Sequence, residues 1–359
     1  MDVLRGMAIV EVIGLHLNLP VFNRLGQLGV DVFFVLSGFL IAGLLFRDLQ
    51  KFGTIRLKSF WVRRAFKILP PLYAFILAML LVAGGARTWD GVLRSASFSM
   101  DYFPAYSLLL HTWSLSVEEK FYLFLPLLFL LLIRWKKSLH ALPWVFLSIL
   151  IATFLFRLET VQSAPFHLRV DNLFTGVFLR YMVEFRPIWF QRLAKLSLIP
   201  GLLFWMPSLW MESLAPGHSI LRSVAFTGID VCCGCLLVLC YQYDNQSFWS
   251  RVPFRVLAKV GFYSYSIYLW QEPFTTYFNR SRVGLPMSVS LGFASSILAG
   301  IGMAKLIEIP SLRLRDRWFP ESVRKESQSA ADVQTSRQAP TQAIPAFEQD
   351  AVQFSDPQM

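Results

Sequence analysis

Long apolar runs fill most of the chain, and short polar segments separate them. Ten of these runs come close to the roughly 20 residues that a helix needs to cross a bilayer. They cover residues 2–20, 28–46, 70–86, 119–133, 142–157, 171–185, 196–211, 219–241, 257–278 and 287–307. This pattern predicts an all-α polytopic membrane protein with about ten transmembrane helices.

The composition favours the same class of protein. Of the 359 residues, 55% are hydrophobic and only 16% are charged, whereas about 25% are charged in typical soluble domains. The net charge of +11 does not indicate a nucleic-acid-binding domain, because Lys and Arg are scattered through short segments between the apolar runs. We therefore expect membrane lipid as a partner and no nucleic acid.

Basic residues are distributed unevenly between alternate loops. If the N-terminus is cytoplasmic, the cytoplasmic segments hold 23 Lys and Arg and the outer loops hold 7. Because short cytoplasmic loops of membrane proteins carry such an excess, the distribution predicts that both termini are cytoplasmic. Residues 1–320 are predicted to form the transmembrane domain. The polar residues 321–359 lack apolar periodicity, which predicts a disordered cytoplasmic tail.

The first apolar run carries three ionisable side chains, Arg5, Glu11 and His16. Arg5 and His16 are eleven residues apart, so on a helix they share one face and lie about 16 Å apart along the axis. An ionisable group deep in a membrane usually faces the bundle interior or a wet cavity. His16 is therefore a candidate for function, and the alternative is a hydrogen bond to a neighbouring helix. Glu11 lies on a different face.

A basic turn precedes the third apolar run. Arg63 and Arg64 lie four and three residues before Lys67, so the three side chains belong to one turn of a helix near the membrane surface. Arginine forks match phosphate oxygens. The turn suits a ligand phosphate or a lipid headgroup, and anchoring at the cytoplasmic surface is the alternative.

Acidic residues lie close to the start of two predicted helices. Ser116 and Glu119 have the spacing of a capping box, which leaves the neighbouring Glu118 and His111 unexplained. Two adjacent carboxylates beside an apolar run are costly unless they are wet or paired, and one of them can exchange protons. Asp31 begins the second run, where it either complements the helix dipole or serves as a polar site residue.

Five stretches in this order resemble the membrane-bound acyltransferase-3 family, from Asp2 to about Trp318. They are Arg5 with His16, GVDVFFVLSGFLI at residues 29–41, the basic turn of Arg63, Arg64 and Lys67, WSLSVEEKFY at residues 113–122, and SYSIYLW at residues 264–270; Glu308 and Pro310 match the closing pattern. Two positions depart from the family: Gln271 stands where a His is common, and Met1 directly precedes Asp2.

The resemblance implies an enzyme of the bacterial inner membrane with several spans. Such an acyltransferase moves an acyl group, usually acetyl, from acyl-CoA to a hydroxyl of a carbohydrate or lipid-linked glycan of the cell envelope. No metal is expected. The oligomeric state stays open.

The resemblance also implies roles for individual residues. The donor acyl-CoA would be held by Arg5, Arg63, Arg64 and Lys67. His16 would be the general base or a transient acyl carrier, and Glu118 or Glu119 would orient its ring or relay a proton. Asp31 is a weaker polar candidate. The pantetheine arm of CoA is expected to thread along the first span toward His16.

Two other classes of function fit part of the pattern. A transporter or flippase for a lipid-linked or small solute would explain ten spans and buried charges, but not a basic turn aligned with a deep histidine. A non-catalytic membrane scaffold would leave Arg5, Glu11 and His16 as an unexplained cost. Binding of CoA to the purified protein discriminates between the enzyme and the transporter.

Overall fold

The computed structural model describes residues 1–25, 27–83, 86–105, 108–136, 139–160, 164–203, 205–213, 219–243, 251–281 and 284–319. Within these ranges the regular structure is helical, and no strand occurs. The predicted tail at 321–359 lies outside the described residues.

Sixteen α-helices make up the described part of the chain. In chain order they are α1 Asp2–His16, α2 Pro20–Leu25, α3 Leu28–Phe52, α4 Leu57–Ala83, α5 Ala86–Ala96, α6 Trp113–Lys136, α7 Leu142–Leu158, α8 Val170–Phe185, α9 Pro187–Leu196, α10 Leu198–Leu202, α11 Met206–Ser213, α12 Ser219–Gln242, α13 Val252–Phe262, α14 Ser264–Arg280, α15 Leu285–Met303 and α16 Ile309–Trp318. The π-helical segment Ala304–Glu308 joins α15 to α16, and short 3₁₀ turns lie at Leu110–Thr112, Leu139–Ala141 and Phe166–Leu168.

Five helical stretches of the described residues are long and apolar enough to cross a membrane. They are Leu28–Phe52, Leu57–Val82, Leu139–Leu158, Ser219–Gln242 and Leu285–Trp318. In the apolar window of α3, 78% of residues are buried inside the protein, whereas in the window that contains α7 only 11% are. Because an apolar surface without a protein neighbour must face lipid, α3 is central and α7 is peripheral. The chain is an all-α, multi-pass membrane protein.

Helices α3 and α8 cross at backbone contact. A Cβ atom added to Gly38 would collide with the carbonyl oxygen of Leu173, and one added to Gly176 would collide with that of Val35. Small residues let two helices approach this closely. The crossing places α8, with Asp171 and Asn172 fully buried, against the central helix α3. Its polar residues are therefore enclosed by protein rather than by lipid.

Two of the predicted runs do not form single helices. The run at 196–211 is divided between α10 and α11, and the run at 257–278 is interrupted at Tyr263, between α13 and α14. Pro207, the second residue of α11, explains the first interruption, because proline removes an amide donor and disrupts the preceding turn. The second interruption leaves the first amides of α14 without helical acceptors, as at any helix start.

The chain divides into two compact units, Met1–Leu312 and Arg313–Met359. The first unit contains both buried apolar clusters, centred on side chains such as Phe34, Phe121 and Val35. Of the second unit, residues 313–319 are described; they carry an ion pair between Arg315 and Asp316 at 2.6 Å.

Candidate active site

A cavity of about 310 Å³ lies among α1, α3, α4, α6 and α14. We call it the basic cavity, because four of its lining residues are cationic: Arg5, Arg47, Arg64 and Lys67. Apolar side chains of α3, including Phe33, Phe34 and Leu40, form much of the remaining wall. The cavity therefore combines a charged end with an apolar surface.

The cations of α4 face the basic cavity, and the carboxylates of Glu118, Glu119 and Glu308 act on them from beyond ion-pair distance. Among the described residues, neither Arg64 nor Lys67 forms an ion pair, and the guanidinium of Arg64 lies 5.2 Å from the centre of the Tyr122 ring. In the first turn of α1, the guanidinium of Arg5 donates a hydrogen bond to the carboxylate of Asp2 at 3.0 Å. The cavity thus presents positive charge that is available to an anion.

Arg63 does not share this environment. Its Nε donates to the carbonyl oxygen of Ser59 at 3.3 Å, back along α4, and Arg63 is absent from the cavity lining. The sequence groups Arg63 with Arg64 and Lys67, but the structure brings only the latter two to the cavity. Arg47, at the far end of α3, lines the cavity instead and was not anticipated.

The start of α14 also borders the basic cavity. Ser264, Tyr265 and Tyr268 line it, directly after the helix interruption at Tyr263. Open amides and the positive end of a helix dipole favour an anion at such a position. The hydroxyl of Tyr265 donates to the carbonyl oxygen of Ile68 at 2.7 Å, which fixes α14 against α4.

Glu118 lines the basic cavity, and Glu119 does not. The carboxylate of Glu118 accepts hydrogen bonds from Ser37 at 2.7 Å and from Tyr122 at 3.0 Å. Oε1 of Glu119 is buried and has no hydrogen-bond partner among the described residues. Both carboxylates therefore lie beside the cationic end of this cavity rather than beside His16.

His16 lines a second, more open pocket of about 660 Å³. We call it the His16 pocket; its polar lining consists of His16, Asn18, Asn23, Glu272, Thr276, Asn279 and Arg280. Amide, hydroxyl and guanidinium groups of this kind suit hydrogen bonding to a polyhydroxylated molecule. The amide of Asn279 donates to the carbonyl oxygen of His16 at 2.6 Å, so α14 holds the end of α1 in place.

The orientation of the His16 ring is fixed at both nitrogens. Nδ1 lies 2.8 Å from the carbonyl oxygen of Val12, and because a carbonyl only accepts, Nδ1 carries the proton. Nε2 lies 3.2 Å from Oε2 of Glu272. The lone pair of Nε2 therefore lies beside this carboxylate, so that a proton taken up at Nε2 would be held between the two. Glu272, not Glu118 or Glu119, lies against the ring. The expected pairing of His16 with Glu118 or Glu119 is corrected by this geometry.

The two cavities follow one another along α1 and along α14. Arg5 lines the basic cavity and His16 lines the second pocket, at opposite ends of α1. On α14, Tyr268 lines the basic cavity and Glu272 lines the His16 pocket. His16 is not part of the lining of the basic cavity, so a donor arm that threads to His16 has to pass between the two.

Asp31 belongs to neither cavity. Its Oδ1 accepts hydrogen bonds from Arg169 at 2.6 Å and from Asn172 at 2.9 Å, and all three side chains are buried. Arg157 and Asp171 form a second pair nearby at 2.8 Å. These contacts connect α3 to α8, which is a structural role. Arg169 could not be identified as the partner from sequence alone.

Within the described ranges, no group of three or more His, Cys, Asp or Glu side chains is suited to hold a metal ion. The side chains of the two cavities offer anion binding at one end, and proton transfer at His16 beside Glu272 at the other.

Comparison with known proteins finds similarity to an acyltransferase domain and to O-acetyltransferases. A family model described as an acyltransferase domain matches residues 1–305. Peptidoglycan O-acetyltransferase OatA of Listeria monocytogenes serovar 1/2a is 28% identical over 316 residues, which cover 77% of this chain and 49% of that protein. O-acetyltransferase OatA of Staphylococcus aureus strain MRSA252 is 25% identical over 370 residues, which cover 93% of this chain and 60% of that protein.

The chain spans about half the length of these two relatives. No solved structure matches it. The family match extends over both cavities, from Arg5 of α1 to Glu272 of α14, and over most of the helical unit. The chain therefore belongs to the acyltransferase-3 family.

Proposed function

We propose that this chain is an integral-membrane acyltransferase. It moves an acyl group, acetyl in the simplest case, from acyl-CoA to a hydroxyl of a carbohydrate or lipid-linked glycan of the cell envelope. The observation that carries the proposal is the succession of a basic cavity and a His16 pocket along α1 and α14. Membership of the acyltransferase-3 family and the names of the two O-acetyltransferase relatives support it.

The proposal includes ten spans, cytoplasmic termini and a location in the bacterial inner membrane. In that orientation the basic cavity opens toward the cytoplasm, where CoA is found, and the His16 pocket opens toward the envelope. The excess of Lys and Arg in alternate loops supports the orientation. The five long apolar helices support the membrane location.

The donor is held by its phosphates in this proposal. Arg5, Arg64 and Lys67 provide cations for the diphosphate, and the first amides of α14 add the favourable end of a helix dipole. The apolar wall formed by α3 suits the less polar pantetheine arm. Arg63 takes no part, because its side chain lies outside the lining.

The acceptor hydroxyl binds in the His16 pocket. As its oxygen attacks the thioester carbonyl, its proton passes to Nε2 of His16 beside Glu272. The carbon–sulfur bond breaks, and the thiolate leaves and takes up a proton from solvent in the basic cavity. Glu272 fixes the ring and stabilises the imidazolium that forms. His16 acts as a general base in this scheme rather than as an acyl carrier.

Reconstituted protein provides the test. The full chain in liposomes is given acetyl-CoA labelled in the acetyl group and a soluble N-acetylglucosamine oligosaccharide as acceptor. Labelled ester is expected with the wild-type chain. His16→Ala should reduce the rate by about 100-fold or more, since a positioned general base contributes that much.

His140→Ala is the matched control, because His140 lies outside both cavities. Normal transfer by His16→Ala would remove His16 from the mechanism. Passage of the oligosaccharide across the bilayer without any ester formation would favour a transporter over an acyltransferase.

A further inference from the structure

A thin wall separates the basic cavity from the His16 pocket. Tyr268 lines the first and Glu272 lines the second. These residues lie four positions apart on α14, which corresponds to about 6 Å along a helix axis. A single helical turn therefore stands between the two cavities on this side.

His111 lies in this wall. Its ring centre is 5.4 Å from that of Tyr268 and 5.5 Å from that of Phe75. The hydroxyl of Tyr268 contacts the carbonyl oxygen of His111 and the hydroxyl of Ser114, each at 2.6 Å. Glu272 and His16 are near enough to act electrostatically on the His111 ring. The side chain thus borders one cavity through Tyr268 and approaches the other.

The backbone of Leu108 and Leu269 approaches the His111 ring, but without the geometry of a hydrogen bond. The side chain is 3% exposed, and neither ring nitrogen has a hydrogen-bond partner among the described residues. Oε1 of the fully buried Gln271, one turn beyond Tyr268, also lacks a partner there. Buried polar groups without partners are costly, and a phenylalanine would suit aromatic surroundings better. The imidazole therefore points to a ligand.

We propose that His111 is a catalytic residue whose ring N–H donates a hydrogen bond to the carbonyl oxygen of the donor thioester as it enters the wall. This inference rests on the proposed function. When the acceptor oxygen attacks, the carbonyl π electrons move onto that oxygen, and the N–H of His111 stabilises the charge. The electrons return as the carbon–sulfur bond breaks. The acceptor proton goes to Nε2 of His16 beside Glu272, and the thiolate takes up a proton from solvent in the basic cavity. A preorganised donor in a water-poor site stabilises such an oxyanion strongly.

Two substitutions test the role. His111→Phe keeps an aromatic ring against Phe75 and Tyr268 but removes the donor, so kcat should fall by about 100- to 1,000-fold. The KM for acetyl-CoA should change little, because the cations that hold the phosphates are untouched. His111→Gln restores an N–H donor and should recover at least about tenfold of that loss in kcat.

His167→Phe is the control. His167 lies outside both cavities and stacks on Tyr102. Its kcat should equal that of the wild type. Unfolding temperatures of all variants are measured beside the kinetics, so that lost activity is separated from lost structure.

Retention of kcat in His111→Phe would overturn the proposal. An equal loss of kcat in the Phe and Gln variants would also overturn it, as would a loss that follows a lowered unfolding temperature. If His111→Phe does not fold, a His111→Gln variant that is as inactive as His16→Ala would overturn the proposal. If the wild-type chain transfers nothing from acetyl-CoA, the proposed function itself fails, which distinguishes that result from an error about His111.

Discussion

Two clusters of buried charge in this protein have opposite arrangements. Around Asp31, the guanidinium of Arg169 and the amide of Asn172 satisfy the carboxylate at distances below 3 Å, and neither Asp31 nor Arg169 lines a cavity. Around Arg64 and Lys67, the cations face open space and form no ion pair among the described residues. Charges that satisfy one another hold helices together, whereas charges that face a cavity are available to a ligand.

The comparison also explains why both clusters occur in a membrane protein. An ionised side chain is costly in a medium of low dielectric constant unless it is paired or hydrated. The pair of Asp31 and Arg169 removes that cost inside the protein. Arg64 and Lys67 retain part of that cost, because nearby carboxylates act on them without forming ion pairs among the described residues. Anion binding is therefore favoured by relief of their mutual repulsion.

The largest effect on stability is expected at the paired cluster. Arg169→Ala leaves the Asp31 carboxylate buried without its cation, which should lower the free energy of unfolding by about 3–5 kcal/mol. Unfolding in detergent, followed by tryptophan fluorescence or proteolysis, measures it. Arg64→Ala serves as the comparison and should change stability by less than about 1 kcal/mol. Equal losses in the two variants would remove the distinction between the clusters.

Affinity for acetyl-CoA is expected to depend on the cluster of Arg64 and Lys67 rather than on that of Asp31 and Arg169. Arg64→Ala should weaken acetyl-CoA binding by about 10- to 100-fold, since a charge-assisted hydrogen bond to phosphate contributes about 1.5–3 kcal/mol. Arg63→Ala removes the same charge from the neighbouring position outside the cavity and should change affinity less than threefold, about the limit for a screened surface charge. Calorimetry on the purified protein compares the two. Equal weakening would mean that net charge, rather than the cavity, attracts the donor.

Lys67→Met tests the second cation of α4 in the basic cavity. The substitution keeps an unbranched chain of similar length and removes a cation that lacks an acidic partner, so the unfolding temperature should stay constant or rise. Acetyl-CoA affinity should fall by about tenfold, the expected loss for one phosphate contact. A lower unfolding temperature would show that Lys67 contributes to the fold in the way that Arg169 does.

The smallest effect is expected at Tyr268. Tyr268→Phe removes one hydroxyl that contacts both Ser114 and the backbone of His111, which should cost about 1 kcal/mol of stability. Thermal unfolding measures the loss, and Tyr263→Phe, at the helix interruption, is the matched control. An unchanged unfolding temperature would mean that these contacts do not hold the wall.

Much of the fold follows from hydrophobic runs because lipid selects for them. The helical class, the long spans and the placement of Arg5 and His16 at two ends of α1 all come from local periodicity. The interruption within 196–211 also has a local cause in Pro207. The count of ten spans and the cytoplasmic termini remain predictions, as does the tail at 321–359.

The partners of the site residues do not follow from local sequence. Glu118 and Glu272 are both acidic residues near apolar runs, and only the packing of α14 against α1 decides that Glu272 meets His16. In the same way, Arg63 and Arg64 are neighbours in sequence, but they differ by about 100° of rotation about the helix axis. Arg64 therefore lines the cavity, whereas Arg63 points back toward Ser59. Contacts between distant helices determine these pairings, so a single sequence does not contain a local signal for them.

The single helical turn between the two cavities has an electrical consequence. In the proposed reaction a proton is set free at His16 on one side, while the departing thiolate takes one up on the other. If the two protons were drawn from separate compartments, each turnover would move one positive charge outward, at a cost of about 2.3 kcal/mol per 100 mV of membrane potential. If the proton taken up at His16 instead returns across so short a distance, turnover in energised vesicles should be insensitive to voltage.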